Sequence, residues 1–221
     1  MTYRLPPDPT EHGDRSPDNT RPTSRLESFS DGVMAIAITA LAFSLLQARP
    51  ENGSLGSAIR HQWPILAAFL LSFMRIGIYW LNHHFAFKLI ARTDHWANLL
   101  SLLLLLTIAV VPYPTAILAR ALIDQHELKL ASVLYIGSLA ASSLAWNLLF
   151  RYMRRRGLID HAVEPEYLTR LAGFYRFGLY GILAAFALSF VNAYVGLTLS
   201  LVFTVVSLRP PPDPAYRETA A

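Results

Sequence analysis

Cysteine is absent from the 221-residue chain. Disulfides, thiolate metal sites, c-type haem attachment and a cysteine nucleophile are thereby excluded. Charge is scarce too, at 15% of residues against about 25% in soluble domains. The charges crowd into the termini and the connections between long apolar runs, as expected where lipid is the solvent for most of the chain. The opening stretch through Arg25 is polar and proline-rich, with no apolar core. No cleavable leader is therefore expected, and the first apolar run would act as the insertion signal. Catalytic patterns are missing: there is no H-E-x-x-H, no G-x-S-x-G and no inward carboxylate pair at useful spacing, so no enzyme and no cofactor are expected. The net charge of +4 does not point to nucleic acid, because the basic residues are not gathered on one face beside aromatics.

What the chain does have is apolar length. Six segments, at roughly 27–47, 60–83, 95–119, 130–151, 171–190 and 193–208, read as helices. About 20 helical residues cross a hydrocarbon layer of about 30 Å. Ser24-Arg25-Leu26-Glu27 matches a capping box and starts the first helix. The Asn192 region is the expected turn between the last two segments, and prolines from Pro210 onward end the final one. Pro112 and Pro114 interrupt the third segment near its end. The organisation is thus a disordered tail over 1–23, a membrane domain over 24–208 and a proline-rich tail over 209–221. Of 19 basic residues, 14 fall on one side of the expected topology and 4 on the other, with Arg75 inside a span. That bias places both termini in the cytoplasm. Tyr79, Trp80, Trp96, Tyr113, Tyr152 and Tyr180 lie where interfacial anchors are expected.

The first helix is the unusual one. Asp31 lies about one and a half turns into it, where a carboxylate is costly and usually has a partner. Gly32, Ile36, Thr39 and Phe43 form one stripe, and Asp31, Ala35, Ile38 and Ala42 the adjacent one. By periodicity alone the first stripe suits helix packing better than a pore. His83 and His84 are neighbours on a helix and point about 100° apart, so they are poor co-ligands for a metal. With Asn98 they suit a polar network holding helix ends together. Arg75 is open to three readings: snorkelling, pairing with Asp31, or facing an aqueous cavity. Tyr194-Val195-Gly196 lacks the rest of a potassium-filter loop. Arg154-Arg155-Arg156 could bind anionic lipid, although orientation of the spans is enough to explain it.

Arg25-x-x-x-Phe29-Ser30-Asp31 resembles the R-x-x-x-F-S-D signature of the transmembrane protein 175 family, the lysosomal potassium channels and their prokaryotic relatives. Similar in the same order are Ser72-Phe73, Tyr79-Trp80, Asn82-His83-His84, Asn98-Leu99 and Pro112-Tyr113-Pro114-Thr115, so the likeness covers roughly 25–118. The resemblance implies an all-α integral membrane bundle of six transmembrane helices per subunit, with the pore lined by the first. It implies a homotetramer of single-repeat chains in a prokaryotic cell membrane, potassium as the permeant ion, and selectivity residues at Ile36, Thr39 and Phe43. Phe43 and Ala40 depart from the leucine-like side chains usual there, and Arg75 is not part of the pattern. The alternative from the residues themselves is a proton-conducting or proton-coupled protein, with Asp31 and the histidines as relay groups.

Overall fold

In the computed structural model, residues 23–46 and 55–209 are described. Except for Thr23 and Arg209, the two expected tails lie outside them. Seven helices occur among the described residues: α1 (Ser24–Leu46), α2 (Leu55–Lys88), α3 (His95–Val110), α4 (Pro112–Asp124), α5 (Leu128–Arg155), α6 (Pro165–Ser189) and α7 (Ala193–Val206). Because α3 and α4 continue one another through Val111, the described residues form six apolar helical segments. Five are long and apolar enough to cross a membrane, and Ala193–Val206 is a shorter apolar helix. The chain is an all-helical integral membrane protein.

Each boundary has a local cause. Asp94 caps α3: its Oδ1 accepts from the Ala97 amide at 2.8 Å and its Oδ2 accepts from the Tyr152 hydroxyl at 2.8 Å. The Ala97 amide first, then the Tyr152 hydroxyl and the Arg156 guanidinium, hold this carboxyl below its ordinary range. Pro112 has no amide to donate, so it ends α3 and serves as the first residue of α4. Gly157 ends α5 with φ of 63°, which lets the Leu158 amide turn back to the Met153 carbonyl at 3.1 Å. Asn192 caps α7 by accepting from the amides of Tyr194 and Val195 at 2.9 and 3.2 Å.

α5 is the hub of the bundle. It packs against α3 and α4 on one side and α6 and α7 on the other, while α1 rests on α2, α3 and α4. Leu104 and Ile108 of α3 and Leu139 and Leu149 of α5 are fully buried members of one core cluster. Leu99, Leu102, Leu103, Leu106 and Val110 of α3 are exposed. In water such an apolar band would be a liability, whereas in lipid it is the solvent-facing surface. Ile90 and Ile159 form an antiparallel bridge that ties the α2–α3 and α5–α6 connections together at one end.

Candidate pore helix and the polar clamps behind it

α1 has two unlike faces. Ser30, Met34, Ala37 and Leu41 are buried against the neighbouring helices. On the other side Phe29, Ile36 and Phe43 are 53%, 71% and 61% exposed, with Gly32 and Thr39 exposed between them. The positions 29, 32, 36, 39 and 43 alternate steps of three and four, the spacing of a seam along which helices of separate copies meet. Thr39 Oγ1 donates to the Ala35 carbonyl of its own helix at 2.8 Å. Its proton is thus committed inward, and the oxygen presents its lone pairs to the exposed side.

Two clamps fix the orientation of that face. Trp80 Nε1 donates to Asp31 Oδ1 at 2.9 Å. One turn along, His84 Nδ1 lies 3.0 Å from Glu27 Oε1. Both pairs are four residues apart on their helices, so they form successive rungs between α1 and α2. Trp80 and His84 also stack, with ring centroids 5.9 Å apart. Ser30 Oγ donates to the Leu26 carbonyl at 2.8 Å. Arg25 is exposed at the start of α1.

Several sequence-based expectations need correction. Tyr79 is no interfacial anchor: it is buried, and its hydroxyl donates to the Leu139 carbonyl at 3.3 Å and lies 2.8 Å from Ser143 Oγ. Trp80 does not simply mark a membrane boundary, since it holds Asp31. Glu27 reaches across to His84 rather than acting only on its own first turn. His83, His84 and Asn98 do not bond to one another. His84 faces Glu27, whereas His83 stacks on Phe87 at 4.1 Å and, like Asn98 Oδ1, has no hydrogen-bond partner among the described residues.

Of the three readings left open for Arg75, the Asp31 pairing fails, and the side chain lines a small cavity of about 40 Å³ beside Asn82 and Ser143. The residue is 3% exposed, and it does not pair with Asp31. Its Nη2 donates to Ser143 Oγ at 2.8 Å and to the Tyr79 hydroxyl at 3.4 Å, and the guanidinium lies 5.3 Å from the Tyr79 ring centroid. A guanidinium is more weakly hydrated than an ammonium and is attracted to an aromatic face, which lowers the cost of keeping this charge in a bundle. One turn away, Ser72 Oγ lies 2.9 Å from Thr115 Oγ1 and donates to the Tyr135 hydroxyl at 3.1 Å. Ser72, Arg75 and Tyr79 therefore form a buried polar seam joining α2 to α4 and α5. The sequence signal for it was a polar residue at every turn of one α2 face.

The family model for the endosomal/lysosomal potassium channel TMEM175 matches residues 25–112, which hold α1, α2 and α3. A potassium channel of Chamaesiphon minutus is 37% identical over 187 residues, covering 83% of this chain and 92% of the relative. A potassium channel of Streptomyces collinus is 37% identical over 173 residues, covering 77% and 84%. The crystal structure of a lysosomal potassium-selective channel TMEM175 homologue from Chamaesiphon minutus superposes with a TM-score of 0.72 at 35% identity, covering 84% of this chain and 95% of that one. On fold, identity and coverage together, the chain belongs to the TMEM175 family of ion channels.

Proposed function

We propose that the chain is a subunit of a potassium-permeable, potassium-selective channel. The observation that carries this reading is the bare, seam-spaced face of α1, clamped from behind at Asp31 and Glu27. One copy of such a face cannot enclose a pore, and four copies around an axis can. The assembly is then a homotetramer, with Ile36, Thr39 and Phe43 as three stacked rings about 4.5 and 6 Å apart along the axis. Narrow aliphatic rings control passage through the cost of dehydrating an ion. Potassium sheds water more cheaply than sodium, so a tight Ile36 ring favours it. The Thr39 lone pairs supply polar contact one turn away. Ser30 and Asp31 hold and orient the helix, while Arg25 and Phe29 of the same signature stand exposed. The basic-residue bias supports a topology with both termini on the cytoplasmic side of a cell membrane.

The test is purified protein in liposomes with potassium, sodium and proton flux measured separately. Potassium flux exceeding sodium flux, and vanishing without potassium, is the expected result. A current that survives removal of potassium and follows pH would replace this reading with proton conduction.

A further inference from the structure

The end of α5 carries a feature that ion conduction does not use. Arg151, Arg154 and Arg155 of α5 face Arg176 and Tyr180 of α6 across a cleft of about 480 Å³. The guanidiniums have little to hold them. Arg154 Nη2 reaches Thr169 Oγ1 only at 3.5 Å, and Arg176 Nε donates to the carbonyl of Ala172 on its own helix at 3.2 Å. None of the four pairs with a carboxylate among the described residues. The carbonyl end of α5 opposes an anion with about half an elementary charge, which four guanidiniums outweigh. The cleft is therefore a site of concentrated positive charge.

Its other half is apolar. Leu144 and Leu148 of α5 and Leu179 of α6 line the same cleft. On α5 the positions 144, 148, 151 and 155 follow one face, so the lining changes from leucine to arginine over about 16 Å toward the helix end. Leu144 and Leu148 are 47% and 43% exposed, so this apolar wall is uncovered in the single chain. A soluble anion has no use for that wall, and an acyl chain has. The main neighbours of α6 are α5 and α7, and those of α1 are α2, α3 and α4. The cleft thus lies away from the face on which α1 copies would meet.

We propose that this cleft is a binding site for an anionic glycerophospholipid, its phosphate held by Arg151, Arg154, Arg155 and Arg176 and one acyl chain laid along Leu144 and Leu148. Basic pockets between transmembrane helices recognise such headgroups by charge, and bidentate guanidinium–phosphate bonds add geometry. The site does not depend on the pore reading, since it requires only that the α5–α6 face meets lipid.

Native mass spectrometry of the full chain in detergent, with phosphatidylglycerol and phosphatidylcholine added at equal concentration, tests the assignment. Preferential retention of phosphatidylglycerol is expected. The double variant Arg151→Gln/Arg155→Gln should lose that preference by about tenfold or more. Lys88→Gln/Arg92→Gln, which removes two exposed cations from the same end of the molecule, should keep it. Size-exclusion profiles of both variants establish that they are folded. Inorganic phosphate and glycerol 3-phosphate, added as competitors, should displace the lipid poorly. Equal retention of the two lipids, an equal loss in the Lys88/Arg92 control, or displacement by free phosphate at the lipid's own concentration would each overturn the site.

Discussion

Ile36 is the side chain on which the pore reading turns, because it is the most exposed large residue on the bare face of α1. Replacing it with asparagine exchanges a dewetting surface for a hydrated one without shortening the side chain much. In Ile36→Asn channels, conductance should rise and the potassium preference over sodium should fall, read from reversal potentials in planar bilayers. Ile38 packs partly against the core, and Ile38→Val should change neither quantity. Unchanged conductance and selectivity in assembled Ile36→Asn channels would remove α1 from the filter. Trp80 poses the complementary case. Trp80→Phe keeps an aromatic ring beside His84 but deletes the donor to Asp31. A hydrogen bond to a carboxylate at a half-exposed position is worth about 1 kcal/mol, so the variant should melt a few degrees lower with its selectivity intact. A selectivity change at constant stability would assign Asp31 to the ion path instead.

Among the elements, the α6–α7 hairpin is the tightest. A Cβ at Gly196 would come within 2.7 Å of Ser189 Cβ, 2.8 Å of Ser189 Cα and 3.0 Å of the Ala185 carbonyl. Backbone cannot yield as a flexible side chain can, so Gly196→Ala should cost about 1–3 kcal/mol through overpacking. Gly173→Ala on α6, with open space around the added carbon, should be neutral or stabilising by about 0.5–1 kcal/mol. Thermal unfolding in one detergent would rank the two, and a reversed order would refute the packing argument. The existence of these helices was legible in the apolar runs, and Asn192 and Pro112 were legible as breaks. Their ends were less so. α2 runs on to Lys88 because His83 and His84, which read as a polar terminus, stay helical while one pairs with α1 and the other is buried. α6 begins at Pro165 rather than near 171 because Tyr167 and Leu171 face the core while Glu166 and Thr169 stay exposed, an amphipathic turn that a search for apolar runs passes over. The α2 half of the Ser72–Arg75–Tyr79 seam showed as polar residues along one face, and its pairing was hidden for a different reason. Its partners Tyr135 and Ser143 lie more than sixty residues away, and no local pattern pairs them.

At the scale of the whole molecule, the length of α7 sets a demand on the membrane. With 14 residues it spans about 21 Å, some 9 Å less than a typical hydrocarbon layer. Its neighbours α5 and α6 have 28 and 25 residues and are long enough for the full thickness. One flank of each subunit is therefore too thin for the bilayer that the other flanks require. If lipid beside α7 thins to match, the cost is fractions of a kcal/mol for each ångström of mismatch. A tetramer would carry four such dents on its rim. Reconstituted in a series of phosphatidylcholines of increasing acyl length, the protein should be most thermostable in short-chain bilayers and lose stability steadily as the chains lengthen. Two tetramers can share one dented patch of lipid more cheaply than each can maintain its own. Thick membranes should then drive these channels into clusters, and thin ones should let them disperse.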